Sequence, residues 1–207
     1  MMQPQHSVEP LVLAAGLGQR MGGAIKSLID IDGIPAIVRV LRCIEDAGLR
    51  PPLVVLGRGH RAVRAVIDPT ACRVATNPAP ERGLSTSLSI GIARVSDDAI
   101  GVLIFHADMP LIRPETVRSF VATLTNADRI AAPCAETKRG FPLYLHQATF
   151  PGVLASLHGD VGARDYIAAH PEMLRLVPVD DRGCFLDFDH PADLERHRKE
   201  IACSTSA

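Results

Sequence analysis

A glycine-rich turn carrying two cationic side chains follows the first apolar run of the chain. The segment "LVLAAGLGQRMGGAIKSL" occupies residues 11–28 and contains Gly16, Gly18, Arg20 and Lys26. Glycines let a ligand approach the backbone closely, and backbone N–H groups with two cations suit a polyphosphate. These residues predict a phosphate-binding loop. For the two glycines alone, an ordinary β-to-α turn with solvated charges is the alternative.

The loop comes close to two common nucleotide motifs and matches neither. A G-x-G-x-x-G dinucleotide fingerprint would need a glycine at the third position, where Met21 stands. A Walker A loop would need a glycine directly before the lysine, and Ile25 precedes Lys26. Because both patterns fail where their glycines act, the loop is predicted to bind phosphates in another way.

An acidic turn follows the clearest apolar run, "GVLIFHADMP" at residues 101–110. If the run is a parallel strand, Asp108 lies at the edge of the sheet where α/β proteins bind ligands. Mg²⁺ takes one or two protein carboxylates together with phosphate oxygens and water, so Asp108 is the first candidate metal ligand. An Asp in a simple turn before proline is the alternative. His106 receives no role beyond that of a packed or surface histidine.

Short apolar runs alternate with helix-like segments along most of the chain. We expect strands at residues 11–15, 52–57, 101–110 and 129–134, and helices at 36–47, 60–66, 86–95 and 114–124. Later segments predict a strand within 141–150, a helix over 161–170, an edge strand over 174–179 and a final helix over 191–201. This rhythm favours an α/β fold with three layers, a mostly parallel Rossmann-like sheet and helices on both faces. We expect one domain over residues 1–207 with a core at about 8–200.

Composition excludes several other classes of protein. Hydrophobic residues make up 47% of the 207 residues, and the formal net charge is −1. The sequence therefore lacks a broad basic surface for nucleic acid or membrane. The five cysteines form no C-x-x-C pair, so buried or incidental thiols are expected rather than a zinc site or disulfides. Without a leader-like N-terminus or a membrane span, the protein is expected to be cytoplasmic.

The full loop, "LAAGLGQRMG" followed by Lys26, resembles the L-A-[AG]-G-x-[GS]-x-R-M-G-x-x-K signature of the nucleotidyltransferase superfamily. Within it, the chain is most similar to MobA-like proteins, and above all to molybdenum cofactor cytidylyltransferases. The resemblance implies a fold of the nucleotide-diphospho-sugar transferase type, similar to GT-A. One departure is that three residues, not two, separate Gly22 from Lys26.

Five more segments along the chain carry the same resemblance. "HADMP" resembles G-D-[MQ]-P, with Ala107 in place of glycine, and "FLDFDHPADLE" resembles D-x-D-[TS]-P-x-D, with His190 in the Thr/Ser position. The second implies Asp189 as the partner of Asp108 at the metal. Asp187 alternates to the opposite face of an extended segment and would orient a neighbour or cap a turn. Asp193, in a first helical turn, is expected to match the helix dipole.

"NPAPERGLSTSLSIGI" (77–92) resembles the family segment beside the base and ribose, whereas "RGFPLYL" and "GDVGARDYI" resemble elements on the acceptor side. The residues that the resemblance implies for nucleotide binding are Leu13, Ala14, Ala15, Gly16, Gly18, Arg20, Lys26, Asn77, Gly83, Ser85, Ser87 and Asp108. The implied acceptor-side residues are Gly140, Pro142, Gly162 and Arg164. For Ser85 the alternative is a helix N-cap, and for Arg164 a surface position.

The resemblance implies Mg²⁺-dependent transfer of a nucleoside monophosphate from a nucleoside triphosphate to a phosphorylated acceptor. Arg20, Lys26 and Asp108 would be the catalytic residues, and Asp108 with Asp189 would bind Mg²⁺. Ala15 gives the "LAAG" of CTP-using members, so CTP is favoured. The expected acceptor is the molybdopterin cofactor, with a molybdoenzyme or its maturation factor as a partner.

Two alternatives stay open at this stage. Some relatives are oxidoreductases, and the loop could bind NAD(P)H. The missing third glycine counts against this, as does the absence of an acidic residue after "VVLG", where Rossmann proteins bind ribose. The other alternative is a non-catalytic accessory protein that binds a cofactor and inserts it into a molybdenum hydroxylase. The presence of Lys26, Asp108 and Asp189 argues against it.

Overall fold

The structure is a computed structural model, and it describes residues 8–16, 25–57, 61–188 and residue 193. The strands in these ranges are β1 (Val8–Ala14), β2 (Asp30–Ile31), β3 (Ile34–Pro35), β4 (Leu53–Gly57), β5 (Arg73–Asn77), β6 (Gly101–His106), β7 (Ile130–Ala135), β8 (Lys138–Arg139), β9 (Leu143–His146) and β10 (Leu174–Pro178). The α-helices are α1 (Ala36–Asp46), α2 (Arg61–Val66), α3 (Leu84–Ile92), α4 (Pro114–Ala122), α5 (Phe150–Ser156) and α6 (Arg164–Ala169).

Most of the strands build one central sheet in the order β10-β7-β9-β6-β1-β4-β5, with β8 beside β7. β1 lies between β6 and β4 and is parallel to both, and β5 continues in parallel beyond β4. β9 is antiparallel to its two neighbours, β6 and β7. The carboxyl ends of β6, β1, β4 and β5 therefore meet at one edge of the sheet, which is where open α/β sheets bind ligands.

Helices cover both faces of this sheet, and side chains alternate between the two layers. Val12 and Phe105 pack with α1, α2 and α4 in one apolar cluster. Their neighbours Leu11 and Ile104 pack with α3, α5 and α6 in a second cluster on the opposite face. Because both faces are buried, β1 and β6 are apolar along almost their whole length, without the alternation of a half-exposed strand.

The helices begin and end at residues that suit those positions. Ile37, Val40 and Ile44 recur at helical spacing and bury one side of α1. The helix is followed by Gly48, whose φ of 76° is a left-handed conformation that favours glycine. Pro114 occupies the first turn of α4, where its missing N–H leaves no helical hydrogen bond unmade.

The fold class predicted from the sequence is confirmed: a mostly parallel sheet lies between two helical layers. The sequence did not predict β5, α5 or the antiparallel direction of β9. The helix expected from residue 161 begins instead at Arg164, because Val161 forms a bridge with His158. The helix expected over 191–201 lies outside the described residues apart from Asp193, which is helical and buried.

Two sequence expectations about the interior can be compared with the described residues. Cys43, Cys72, Cys134 and Cys184 are buried free thiols, as expected. Burial is the main cause that raises the pKa of Cys43 to about 12, so this thiol is inert at neutral pH. In the described part of the chain, no helix combines the length and the apolar character needed to cross a membrane.

Candidate functional site

An open cleft of about 340 Å³ lies at the carboxyl ends of β1 and β6. The end of β1 and the residues after it form one wall, and the start of α3 forms another. The lining residues are Leu13, Ala14, Ala15, Gly16, Lys26, Ser27, Pro80, Glu81, Gly83, Leu84, Ser87, His106, Ala107, Asp108 and Asp160. β1 and β6 are adjacent and parallel, so their ends bring together the two segments that the sequence singled out first.

Lys26 and Asp108 face each other in this cleft. Lys26 Nζ lies 3.8 Å from Asp108 Oδ2, and the two side chains are 21% and 22% exposed. Burial raises the pKa of the Asp108 carboxyl, while His106 and Lys26 act in the opposite direction. The cleft thus holds a partly desolvated carboxylate beside a cation, a pairing that can act on both a metal ion and phosphate oxygens.

The hydroxyl of Ser27 is a further polar group beside Lys26. Its side chain lines the cleft, and its Oγ is buried without a hydrogen-bond partner in the described part of the chain. A buried hydroxyl without a partner costs about 1–3 kcal/mol, so such groups commonly meet a ligand or an ordered water. Ser27 could not be selected from the sequence, because a serine after a lysine matches only the Walker A pattern, which the loop does not fit.

The segment that leads to Asp189 reaches the end of β6. Phe188 donates its backbone N–H to the Asp108 carbonyl oxygen at 3.1 Å, and its side chain is buried against Ile31 and Ala36. Asp187 is exposed, and its negative charge acts to raise the pKa of Asp108. The chain directly before the second predicted metal ligand is therefore fixed beside the first, while Asp189 itself lies outside the described residues.

His106 is a partly buried residue at the base of the cleft. Its ring packs edge-on against Phe141, with 4.5 Å between the ring centroids. Burial lowers the pKa of His106, although Asp108 and Asp187 act to raise it. The expectation of a packed histidine agrees with this contact, which also joins the cleft to the segment around Pro142.

The start of α3 is joined to the loop before α6 by close backbone contacts. Ser85 donates its N–H to the Gly159 carbonyl oxygen at 3.1 Å, and Leu84 donates its N–H to Asp160 Oδ1 at 3.3 Å. Gly83 has a φ of 98°, and a Cβ added there would lie 2.3 Å from the Gly159 carbonyl carbon and oxygen. We call these five residues the α3 seam; Gly83, Leu84 and Asp160 line one wall of the cleft.

Asn77 and Ser85 lie behind this wall. Asn77 is fully buried, and its Nδ2 donates to Thr86 Oγ1 at 2.8 Å and to Ser87 Oγ at 2.9 Å. Its Oδ1 accepts the Ala79 N–H at 2.9 Å. Asn77 therefore ties the end of β5 to the start of α3. Asn77 and Ser85 line a separate cavity of about 600 Å³.

The residues predicted for the acceptor side do not line the cleft itself. Gly140 packs so closely that an added Cβ would lie 2.5 Å from the Cys184 carbonyl oxygen. Gly162 packs near Leu84 of the α3 seam, with 3.2 Å between an added Cβ and Leu84 Cδ2. Arg164 is the first residue of α6, and its side chain is 73% exposed. Pro142 follows Phe141, the residue that packs on His106.

Seven of the predicted nucleotide residues and Asp108 meet in the cleft: Leu13, Ala14, Ala15, Gly16, Lys26, Gly83, Ser87 and Asp108. Gly18, Arg20 and Asp189 lie outside the described residues, and their roles stay predictions. Asp160 and Glu81 also line the cleft, but neither residue was predicted from the sequence to do so. Asp160 belongs to a quoted motif, "GDVGARDYI", but nothing in the sequence indicated that it reaches α3.

A cleft at the carboxyl edge of a mostly parallel sheet, lined by glycines and a lysine, is typical of nucleotide-binding α/β proteins. The sequence profile of the MobA-like NTP transferase domain matches residues 10–174. The chain belongs to this family.

Two relatives differ in how much of each sequence is shared. The bifunctional protein GlmU of Rhizorhabdus wittichii is 34% identical over 119 residues, which are 57% of this chain and 26% of GlmU. The chain thus spans about a quarter of the length of the GlmU proteins it matches. Nicotine blue oxidoreductase of Paenarthrobacter nicotinovorans is 23% identical over 193 residues, covering 88% of this chain and 92% of that protein.

The fold is shared with Rv0371c of Mycobacterium tuberculosis H37Rv. Its crystal structure is similar with a TM-score of 0.81 and 29% sequence identity, over 93% of this chain and 98% of that chain. A structure of Rv0371c in complex with manganese is similar with a TM-score of 0.76 and 26% identity, over 92% and 97% of the two chains.

Proposed function

We propose that this protein transfers a nucleoside monophosphate from a nucleoside triphosphate to a phosphorylated small-molecule acceptor, releasing pyrophosphate with the help of Mg²⁺. The observation that carries the proposal is the approach of Lys26 Nζ to Asp108 Oδ2, 3.8 Å apart in a glycine-lined cleft. Membership of the MobA-like NTP transferase family supports the same reaction type.

The residues at the end of β6 fit a bound Mg²⁺. Among the described residues no group of three or more His, Cys, Asp or Glu side chains could hold a metal ion. A nucleotide-bound Mg²⁺ does not need such a group, because one or two carboxylates suffice when phosphate oxygens and water complete the coordination. Asp108 would provide one carboxylate and Asp189 the second. When bound, the ion would neutralise charge on the phosphate oxygens.

The side chains of the chain itself would act mainly by positioning and charge. Lys26 would neutralise the phosphate nearest the reaction, Arg20 would hold the outer phosphates, and the Ser27 hydroxyl could donate a hydrogen bond to a phosphate oxygen. An acceptor phosphate is already ionised at neutral pH, so attack on the α-phosphorus needs no general base. Catalysis would then come from alignment and from stabilisation of the transferred group.

CTP is the nucleotide we favour, since Ala15 gives the "LAAG" sequence of CTP-using relatives. Ala15 is buried and lines the cleft after β1. If the base lies beside it, as the resemblance implies, its methyl group would narrow the space for a purine. The acceptor we favour is the molybdopterin cofactor, with a molybdoenzyme or its maturation factor receiving the product. A non-catalytic accessory protein would use the same cleft to carry the cofactor without releasing pyrophosphate.

Similarity to nicotine blue oxidoreductase over 88% of the chain favours a second candidate, an NAD(P)H-dependent oxidoreductase. Two features weigh against it. The loop lacks the third glycine of a dinucleotide fingerprint, and β4 ends in "VVLG" without an acidic residue to bind ribose. The two candidates differ in the ligand that should stabilise the protein.

A thermal-shift panel tests the proposal. CTP, GTP, ATP, UTP and NADPH would each be added with and without Mg²⁺ to the wild type, Asp108→Asn and Asp97→Asn. We expect CTP with Mg²⁺ to stabilise the wild type by about 2.7 kcal/mol at 100 times its dissociation constant. Asp108→Asn should lose the Mg²⁺-dependent part. Asp97 is an exposed residue in the turn before β6, at the opposite edge of the sheet, and its variant should respond like the wild type. A shift with NADPH but with no triphosphate would overturn the proposal.

A further inference from the structure

Asp160 is a charged residue on the wall of the cleft that the proposed reaction leaves without a role. It belongs to the α3 seam, where Oδ1 accepts the Leu84 N–H at 3.3 Å. The adjacent contact between Gly83 and Gly159 leaves no space for a side chain. Asp160 is exposed and lines the cleft, and its hydrogen bond to Leu84 orients its carboxylate.

The second carboxylate oxygen of Asp160 is available for a ligand. Within the described residues, the Asp160 side chain makes one hydrogen bond, which it accepts from the Leu84 N–H. An ionised carboxylate only accepts hydrogen bonds, so a ligand that meets Oδ2 must present an O–H or N–H group. Triphosphate oxygens present neither, and their negative charge would repel the carboxylate.

Asp160 lines the same cleft as the two residues proposed to act on the phosphates. At about 340 Å³ the cleft is near the lower limit for small-molecule sites, and the same volume is lined by Lys26 and Asp108. If Lys26 holds the phosphates, the sugar, which is the next part of the nucleotide, can extend along the same cleft toward Asp160. The hydrogen-bond donors nearest the phosphates in a nucleotide are the ribose hydroxyls, whereas the amino group of a base lies further away.

We infer that Asp160 recognises a ribose hydroxyl of the bound nucleotide through Oδ2, an inference that rests on the proposed function. An acidic side chain performs the same task in dinucleotide-binding proteins. Here the carboxylate is held by the first turn of α3 rather than by the end of a second strand. Asp160 makes the cleft selective for ribonucleotides over deoxyribonucleotides.

Titration calorimetry with Mg²⁺ and CTP, 2′-deoxy-CTP or 3′-deoxy-CTP tests this inference. We expect the wild type to bind CTP about tenfold more tightly than at least one deoxy analogue, as expected for one hydrogen bond to a charged group. Asp160→Ala should weaken CTP binding about tenfold and leave that analogue almost unchanged. Asp160→Asn keeps an acceptor for Leu84 but removes the charge, so it should reduce the preference for ribose by less than Asp160→Ala does. Asp97→Ala removes a distant charge and should keep it.

The outcomes distinguish failure of the Asp160 inference from failure of the proposed function. If Asp160→Ala weakens CTP and both deoxy analogues equally, Asp160 only supports the α3 seam and the inference is wrong. The same conclusion follows if the wild type does not distinguish ribose from deoxyribose, or if Asp160→Ala changes only the preference for CTP over UTP. If the wild type binds none of these nucleotides, the proposed function itself fails, and the inference fails with it.

Discussion

At the scale of single residues, Asp108 carries a negative charge in a place where burial disfavours it. Burial raises its pKa, and the partial compensation comes from His106 and from Lys26 at 3.8 Å. Such a group is expected at a site that binds a cation, because the ligand supplies the missing stabilisation. In the ligand-free protein the same charge lowers the stability of the fold.

The raised pKa of Asp108 makes the stability of the ligand-free protein depend on pH. The unfolded chain releases the Asp108 proton near pH 3.8, and the folded chain releases it at a higher pH. Between these two values the folded state holds more protons, so stability falls as pH rises and the loss is complete above the folded-state pKa. Asp108→Asn cannot ionise. Its melting temperature without ligand should exceed that of the wild type at pH 7 and should match it below about pH 3.8.

Differential scanning calorimetry over that pH range measures the effect. Asp97→Asn, on the exposed turn before β6, should follow the wild type at every pH. A lower melting temperature of Asp108→Asn at pH 7 would contradict the account, since it would mean that the carboxylate is held for structural reasons.

Asn77 illustrates how a residue can sit in a functional motif and yet serve the fold. Its side-chain amide donates to Thr86 and Ser87 in α3 and accepts from the Ala79 N–H in the preceding loop. Sequence similarity selects Asn77 because it lies in a segment that resembles a family motif. The structure separates its internal hydrogen bonds from a contact with ligand, and the role assigned to it in nucleotide binding stays a prediction.

At the scale of elements, the α3 seam determines where the first turn of α3 stands relative to the cleft. Gly83 requires glycine for two reasons, a φ of 98° and an added Cβ 2.3 Å from the Gly159 backbone. Gly48 shares only the first reason, because its φ is 76° and nothing lies within 4 Å of an added Cβ. The two glycines therefore form a matched pair for measuring the seam.

We expect Gly48→Ala to cost about 1 kcal/mol of unfolding free energy, which is the strain of a left-handed alanine. Gly83→Ala should cost roughly 1–3 kcal/mol more, because the seam must open to admit the methyl group. Urea denaturation of both variants measures the difference. Equal losses in the two variants would contradict a tight contact between Gly83 and Gly159.

The central elements could be predicted from sequence because their residues are apolar over whole strands and helices at regular spacing. β5 was not predicted, because "RVATN" is a polar strand at the edge of the sheet and has only two buried residues. The direction of β9 depends on how the chain returns between β6 and β7, which local pattern does not encode. α5 contains Pro151 and Gly152, so its sequence lacks a helical signal.

At the scale of the whole molecule, one edge of the sheet brings together residues that are distant in sequence. Lys26, Gly83 and Asp108 could be selected from motifs, and they line one cleft. Asp160 could not, because its importance comes from a contact with Leu84 across 76 positions of the chain. Motifs reveal the residues that a family shares, whereas contacts between distant segments appear only in the folded chain.

Nucleotidyl transfer through the Lys26–Asp108 cleft can be measured by the formation of its two products. The wild type and Asp108→Asn would be incubated with CTP, Mg²⁺ and a protein-free extract of small molecules. Pyrophosphate would then be measured, and CMP conjugates sought by mass spectrometry. We expect the wild type to form pyrophosphate and a matching CMP conjugate, and Asp108→Asn to form neither. No pyrophosphate with either protein, or as much pyrophosphate with Asp108→Asn as with the wild type, would overturn the proposal.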